Sequence, residues 1–569
     1  MASHAYLSGA SPANQPDAHG ITGGRARSAA AVMAPALSIA AMMALGFLAV
    51  AAQLVRLAAN GQGSLRLQAS EPIVRSYARA DIVDRKGRLL ATDLGAHSLY
   101  ADPALVLDAD EAAEKLAAAL PGLDATELRG LLADRSRRFV WIRRGLAPAM
   151  AQRIHDLGLP GLQFRTEPKR SYPQGRLAGH ILGSVGIDNR ALSGIERHID
   201  EELGLESGLS GDFERPPVVL TIDLGVQHGL EQELAAGVTR FGASGAAGVL
   251  LDVDSGEVLA AASVPDIDPA RGIEALEAAR IDRLQVATYE LGSIFKAFTV
   301  AIALDLGIAT PDTIIDVRAP LQVGRFAIRD LHSAGRPLSV REIFIQSSNV
   351  GAGRLAQATG RDRQRAYLTR LGLTTPMRTE VGAVAAPRGP DRWGEVELVT
   401  IAYGHGLALA PIQFAAAAAA IVNGGFKVEP RFIKTLPGVV RPPAERTRVL
   451  SAETSRKMTD LMRRNVTQSN ATGRRADVPG FEVGGKTGTA EMATAGGYAK
   501  RSVVASFLAA FPMSAPRYLL LVTLIEPKPE TDARGHPDAR GLITAGVNAA
   551  PLAAQVIARA APLLGLAPR

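Results

Sequence analysis

The longest apolar pattern lies near the start of the chain, where residues 28–55 carry no charged side chain. A bilayer core needs about 20 apolar residues, so this stretch is long enough to span one. We expect a single transmembrane signal anchor over residues 28–56, preceded by a disordered tail over residues 1–27. The assignment of this tail to the cytoplasm follows only from the chemistry described below. Two alternatives stay open, a cleaved signal peptide and a buried soluble helix. Arginines flank the stretch on both sides, so charge alone does not orient it.

Apolar runs in the second half of the chain predict an α+β domain. Strands come early and late in this part, with helices between them, which indicates one sheet that joins both ends of the region. The run over residues 414–422 is apolar throughout, so we expect that helix to be buried. The predicted elements are a hairpin over residues 248–263, helices over 293–306, 414–422 and 545–564, and strands over 503–511 and 518–525.

A pair of prolines at 216 and 217 marks a domain boundary. Residues 57–215 precede it and contain few reactive combinations of side chains, so we interpret them as a docking or dimerisation domain, here called the pedestal. Within it, residues 85–87 predict a turn and residues 108–133 a charged helical stretch. Residues 216–569 form the second domain, whose first helix we expect to be capped by Asp223.

The composition narrows the possible chemistry. The chain has 569 residues, a formal net charge of +7 and no cysteine, which excludes disulfides and thiolate nucleophiles or metal ligands. It carries 63 lysines and arginines, of which only ten are lysines. We find no signature of nucleic-acid binding and expect no nucleic-acid partner. Lys296 alone among the lysines follows a serine by three residues, and an amine can lose its proton where a guanidinium cannot.

Three short motifs occur in a fixed order: Ser-Ile-Phe-Lys at residues 293–296, Ser-Ser-Asn at 347–349 and Lys-Thr-Gly-Thr at 486–489. Each alone has an ordinary structural interpretation, as a capped helix start, a polar turn or a strand with a glycine bulge. In this order they supply a nucleophile, two amines, a hydroxyl and an amide. That set can attack an acyl centre without a histidine, a metal or a cofactor.

The spacing assigns a role to each residue. If Ser293 opens a helix, Lys296 lies one turn away on the same face and can take its proton, provided that burial or Lys486 lowers the pKa of Lys296. Ser347 is then a proton relay, and Asn349 offers an amide to the substrate. In the last motif Gly488 allows close backbone approach, while Lys486, Thr487 and Thr489 bind a carboxylate, with the Thr489 N–H completing an oxyanion hole.

With these motifs, the chain resembles the class B penicillin-binding proteins, the monofunctional DD-transpeptidases of bacterial cell-wall synthesis. The resemblance also covers residues 79–91, 170–173, 221–223 and 256–260, and residues 289–299 and 403–406 look most like the division-specific branch. Ala80, Leu291 and Ile294 depart from the usual family residues, but none of them removes a reacting group. The fold implied is an anchor, an elongated pedestal and a transpeptidase domain with an antiparallel sheet flanked by helices.

The resemblance implies that a peptidoglycan stem peptide ending in D-Ala-D-Ala acylates Ser293, with release of D-alanine and attack by another strand's amine. It also implies β-lactam binding, a location in the inner membrane at the division septum with the catalytic domain in the periplasm, and partners that include a SEDS-family glycosyltransferase and other divisome membrane proteins. Three alternatives stay open: an elongation-specific relative, a β-lactam sensor or hydrolase, and a catalytically silent scaffold. The short pedestal favours division, the absence of a Glu-x-x-Leu-Asn motif disfavours a hydrolase, and the intact Ser293, Lys296 and Lys486 disfavour a scaffold.

Overall fold

The computed structural model describes residues 42–52, 56, 79–203, 216–439, 446–494, 497–530 and 541–569. The chain divides into two compact units, Met1–Arg75 and Ser76–Arg569. In the first unit, residues 42–52 are helical. None of the helices in the described ranges is long and apolar enough to cross a membrane. The predicted tail and most of the predicted span, residues 28–41 and 53–55, lie outside the described residues, so the anchor stays a prediction.

The second unit contains both predicted domains and alternates strands with helices. The strands are β1 (Ile82–Val83), β2 (Leu89–Ala101), β3 (Val140–Leu146), β4 (Leu162–Ser171), β5 (Val218–Leu220), β6 (Gly245–Asp252), β7 (Val258–Val264), β8 (Ile314–Ile315), β9 (Leu321–Val323), β10 (Phe326–Ile328), β11 (Leu338–Ser339), β12 (Arg378–Thr379), β13 (Gly382–Ala383), β14 (Ile433–Thr435), β15 (Gly484–Thr494), β16 (Gly497–Phe511) and β17 (Tyr518–Ile525). The α-helices are α1 (Ala109–Ala119), α2 (Ala125–Ala133), α3 (Pro148–His155), α4 (Gly179–Leu182), α5 (Gly194–Leu203), α6 (Leu224–Arg240), α7 (Lys296–Asp305), α8 (Val340–Gln346), α9 (Asn349–Thr359), α10 (Arg361–Arg370), α11 (Glu395–Ala402), α12 (Pro411–Val422), α13 (Ala452–Thr467) and α14 (Ala549–Leu563).

The five-stranded sheet confirms the predicted join between the two ends of the second domain. Its order is β15-β16-β17-β6-β7, and all of its pairs are antiparallel. Side chains alternate across the sheet: Leu250 packs in the core that contains α6 and α14, whereas Val249 and Leu251 pack in the core that contains α12. Both faces are therefore covered, which explains why β17 is buried along its whole length.

The helices form where local signals place them. Asp223 accepts hydrogen bonds from the backbone N–H groups of Gly225 and Val226 and caps α6, as predicted. Every residue of α12 is buried, which confirms the prediction for its apolar run. The charged stretch over residues 108–133 differs from its prediction, because it forms two helices, α1 and α2, that meet at Pro121 and Gly122. Proline and glycine both disfavour a continuous helix there.

A six-stranded sheet crosses the predicted domain boundary. Its order is β14-β5-β1-β2-β3, and β4 pairs with β2 as well. β1 lies before the boundary and runs parallel to β5, with Ile82 opposite Val218 and Val83 opposite Val219. The backbone hydrogen bonds of one sheet therefore join the pedestal to the second domain. The proline pair at residues 216 and 217 therefore marks a change in sequence composition but not a break in the sheet. The division into two domains stays a prediction.

Candidate active site

The predicted nucleophile lies in a tight turn. Ser293 belongs to the 3-10 helix Gly292–Phe295, and the α-helix α7 begins only at Lys296. Ser293 therefore lies at the start of a helical segment, as predicted, but the first turn is 3-10 and not α-helical. Gly292 has a left-handed backbone with φ of +58°, and a Cβ atom there would lie 2.5 Å from the carbonyl oxygen of Thr489. Only glycine fits this position, because the turn Gly292–Phe295, here called the nucleophile turn, packs directly on β15.

β15 brings the third motif against this turn. A Cβ atom on Gly488 would lie 2.4 Å from the carbonyl oxygen of Leu291 and 2.8 Å from the backbone nitrogen of Ile294. We predicted that Gly488 allows a ligand to approach closely. In this structure the backbone next to Gly488 is that of Leu291 and Ile294, on either side of Ser293. The lack of a side chain at Gly488 lets β15 pack against this turn, and the approach of a ligand stays a prediction.

The two lysines meet at one hydroxyl group. Lys296 Nζ lies 3.1 Å from Ser347 Oγ, and Lys486 Nζ lies 3.0 Å from the same oxygen. Lys296 also donates to the Ser347 carbonyl oxygen and, over 2.7 Å, to Asn349 Oδ1. The structure thus brings Lys296, Ser347, Asn349 and Lys486 together as the sequence predicted, although Ser347 lies 51 positions from Lys296 and 139 from Lys486.

Ser347 owes its position to an unusual backbone. It ends α8 with φ of +63° and ψ of 42°, a left-handed conformation that few residues other than glycine adopt. The next residue, Ser348, caps α9 by accepting from the N–H of Gly351 over 2.9 Å. The sharp reversal between α8 and α9 aims Ser347 and Asn349 at the same amine. Strain of this kind persists where the surrounding structure enforces it, often at functional sites.

Burial lowers the pKa of both amines. Lys296 is 1% exposed and Lys486 is 0% exposed. Burial lowers the pKa of Lys296 well below its ordinary value, and the nearby Lys486 lowers it further, against an opposing effect of Asp330. Burial lowers the pKa of Lys486 to about 7. A neutral amine at Lys296 can accept a proton from a serine hydroxyl near neutral pH.

The two threonines of the third motif have partners within the protein. Thr487 donates its hydroxyl hydrogen to Thr472 Oγ1 over 2.7 Å. Thr489 Oγ1 accepts from the backbone N–H of Ala545 over 3.0 Å. Because Thr489 accepts in this bond, its own O–H remains a donor, whereas Thr487 must turn from Thr472 to donate to a ligand. Their predicted contact with a substrate carboxylate stays a prediction.

Sequence reasoning missed Asp330. Its carboxylate accepts from Ser348 Oγ over 2.7 Å and from the backbone N–H groups of Asn349 and Val350, the second over 3.0 Å. These bonds hold the first turn of α9, and with it the second motif. Asp330 lies 18 residues before Ser348 in a polar stretch. No local signal distinguishes it from other turn residues.

The segment 403–406 was singled out only by resemblance, and it forms a wall of the site. Gly292 N–H donates to the Gly404 carbonyl oxygen over 3.2 Å. Gly406 N–H donates to Glu290 Oε1 over 2.8 Å. A Cβ atom on Gly404 would lie 1.9 Å from the Gly292 carbonyl oxygen. The segment therefore lies directly against the nucleophile turn.

Comparison with known proteins places this site in a family. Residues 246–544 match the penicillin-binding protein transpeptidase domain, and residues 75–208 match the penicillin-binding protein dimerisation domain. A Caulobacter vibrioides protein named probable peptidoglycan D,D-transpeptidase FtsI is 40% identical, over 86% of this chain and 82% of its own length. The Escherichia coli peptidoglycan D,D-transpeptidase FtsI is 29% identical, over 80% of each chain.

The fold has counterparts among solved structures. A crystal structure of penicillin-binding protein 3 from Mycobacterium, complexed with aztreonam, matches with a TM-score of 0.66 at 24% identity. The match covers 87% of this chain and 98% of that one. At this identity the likeness shows the α+β fold and not the activity.

Proposed function

Because this chain belongs to the class B penicillin-binding proteins of the FtsI type, a family of peptidoglycan D,D-transpeptidases, we propose that it cross-links peptidoglycan stem peptides through an acyl-enzyme on Ser293. The observation that carries this proposal is the Ser347 hydroxyl, which lies within 3.1 Å of Lys296 and 3.0 Å of Lys486 beside the turn that holds Ser293. This arrangement supports the roles of Ser293 as nucleophile, Lys296 as base and Ser347 as proton relay.

The acylation step follows from these roles. Lys296, as a neutral amine, takes the proton of Ser293, whose oxygen attacks the carbonyl of the penultimate D-alanine. The proton then passes by way of Ser347 to the nitrogen of the departing D-alanine. Asn349 and the two threonines hold the donor peptide, with Thr487 and Thr489 at its carboxylate. A β-lactam acylates the same serine, but its leaving group stays attached and the adduct persists.

We further propose where the enzyme works. Residues 28–56 anchor it in the inner membrane with the catalytic domain in the periplasm, and the pedestal positions it at the division septum. The similarity to proteins named FtsI supports a role in division. A SEDS-family glycosyltransferase and other divisome membrane proteins are the partners that this role requires. Imaging a fluorescent fusion in dividing cells checks the assignment, since accumulation along the side wall would instead indicate elongation.

The test of the chemistry is the intact mass of the full chain in detergent after incubation with penicillin. We expect the mass to rise by that of one penicillin in the native protein and in the control Ser514→Ala, whose serine is exposed. Ser293→Ala should show no adduct. An adduct of unchanged yield in Ser293→Ala would refute the assignment of the nucleophile.

A further inference from the structure

The proposed function does not say which residues bind and deprotonate the attacking amine. The segment 403–406, which lies against the nucleophile turn, is a candidate. Its backbone is fixed on both sides of His405, by Gly404 against Gly292 and by Gly406 against Glu290. The His405 ring lies 5.3 Å from the Tyr403 ring, centroid to centroid. His405 therefore directly follows Gly404, whose carbonyl oxygen accepts a hydrogen bond from the nucleophile turn.

Charged groups from three elements act on His405. Glu290 lies in the stretch before the nucleophile turn, Lys296 begins α7, and Glu491 lies on β15. Alternation along a strand puts Glu491 on the same side as Thr487 and Thr489, so it continues the row of the third motif. Glu491 is exposed, whereas Lys296 is buried. Glu290 reaches the segment through its bond with the Gly406 N–H, and Glu491 acts on the His405 imidazole by its charge. Glu290, His405 and Glu491 are here called the acceptor patch.

The electrostatics of the patch suit a base. Burial lowers the pKa of His405, Glu290 and Glu491 raise it, and Lys296 lowers it, with a net shift below the ordinary value of 6.5. A lowered pKa favours the neutral imidazole, which can accept a proton. The carboxylates favour a nearby positive charge, which a primary ammonium carries until it reacts.

We propose that the acceptor patch binds the ammonium group of the acceptor peptide and that His405 takes its first proton. This inference rests on the proposed function and names the acceptor as a primary ammonium. After acylation and departure of D-alanine, the ammonium cannot attack, since its nitrogen has no free electron pair. Loss of one proton to His405 restores that pair.

The remaining steps balance within the site. The neutral amine attacks the carbonyl carbon of the Ser293 ester, so an N–C bond forms and the C–O bond to Ser293 breaks. The second proton of the nitrogen passes to Lys296 and then to the departing Ser293 oxygen. His405 releases its proton to solvent. The free enzyme is restored, and the net products are one amide bond and one released proton.

The test compares two nucleophiles on the full chain in detergent, with a thioester analogue of the stem-peptide terminus as acyl donor. Glycinamide arrives largely as an ammonium, whereas hydroxylamine arrives neutral near neutral pH. We expect His405→Gln to lower transfer to glycinamide by about tenfold or more, in the range for a lost proton acceptor, and transfer to hydroxylamine by less than about threefold. The control is His228→Gln, an exposed histidine on α6, which should alter neither transfer.

Glu491→Gln provides a second variant, because its side chain is exposed and its loss does not threaten folding. We expect it to raise the glycinamide concentration for half-maximal transfer by about threefold or more, as for loss of a favourable charge interaction, without altering hydroxylamine transfer. Penicillin acylation reports on the proposed function separately, since its absence from the native protein would refute that function. Equal loss of both transfers in His405→Gln, or unchanged glycinamide transfer in both variants, would overturn the acceptor patch.

Discussion

The pedestal buries Arg79, Arg170 and Glu196, and the active site buries Lys296 and Lys486, but the two groups of charges behave in opposite ways. In the pedestal the Glu196 carboxylate accepts from Arg79 Nε over 3.0 Å and from Arg170 Nε over 2.6 Å. The pKa of Arg79 is raised, because hydrogen bonds and charges of Asp200 and Glu196 outweigh its burial. Neither active-site lysine forms an ion pair with any residue that the structure describes, and the pKa of each is lowered.

The two groups differ in the chemistry of their side chains and in whether a carboxylate is paired with them. A guanidinium keeps its proton at any ordinary pH and makes several hydrogen bonds in a fixed plane, which suits a structural cluster. An amine buried without a carboxylate releases its proton, which makes it a base. Equal burial is therefore accompanied by paired charges in one region and by lowered lysine pKa values in the other. The following predictions, from the largest expected effect to the smallest, test this contrast.

Lys296→Arg replaces a buried amine, which can lose its proton, with a guanidinium, which cannot. We expect the rate of acylation by penicillin to fall between about a hundredfold and ten-thousandfold, the range for loss of a general base. The measurement is the second-order acylation rate from stopped-flow or gel fluorescence with a labelled penicillin. Lys457→Arg is the matched control, since Lys457 forms a helical ion pair with Glu453. Near-normal acylation of Lys296→Arg would show that only the positive charge matters.

Glu196→Gln removes the carboxylate that the two pedestal arginines share. We expect the free energy of unfolding to fall by about 3–5 kcal/mol, because two guanidinium groups lose their buried partner. Denaturant unfolding measures this change. Glu201→Gln on the same helix, α5, is the control, since it breaks only an exposed pair with Arg197 and should change stability by less than about 1 kcal/mol. A Glu196 variant as stable as the control would mean that the cluster contributes nothing to the fold.

Glu231 on α6 contacts the pedestal and should make the stability of the fold depend on pH. Its carboxylate accepts from the Ala178 N–H over 2.8 Å, and burial raises its pKa from 4.5 to about 7, while Gln227 and the same N–H lower it and Asp266 raises it. A raised pKa stabilises the fold fully below about pH 4.5, and that contribution is lost as the pH rises through about 7.

We therefore expect the native protein to lose up to about 3 kcal/mol relative to Glu231→Gln between those pH values, at about 1.4 kcal/mol per pKa unit. Denaturant unfolding at several pH values measures the difference. Glu233→Gln, which loses a pair with Arg559, serves as the control. The same pH slope in the native protein and in Glu231→Gln would contradict the prediction.

Asp330→Asn tests the carboxylate that orients the second motif. The change keeps one oxygen for the N–H groups of Asn349 and Val350 but removes the charge. We expect penicillin acylation to slow by about tenfold, in line with about 1.5 kcal/mol for a hydrogen bond to a charged group. Asp316→Asn, an exposed residue paired with Arg318, should have no effect. If the two variants acylate equally fast, Asp330 does not position the site.

The sequence by itself determined the chemistry and much of the local structure. The three motifs predicted Ser293, Lys296 and Lys486 as the reacting residues, because few residue types can act as nucleophile and base without histidine or metal. The apolar runs predicted α12 and β17, because a segment with almost no polar side chain must be covered on every side. Such signals lie within a few residues of each other and can be found without knowing the fold.

Tertiary structure alone decided which groups meet. Three contacts join residues that lie far apart in the chain. Both lysines contact Ser347, Asp330 accepts hydrogen bonds from the start of α9, and Gly488 packs against the nucleophile turn. Local pattern cannot predict them, since each depends on how sheet and helices pack. The same holds for the sheet that crosses residue 216, because strand pairing between β1 and β5 leaves no signature at the proline pair. Burial set the protonation of the lysines, and burial is a property of the fold and not of the motif.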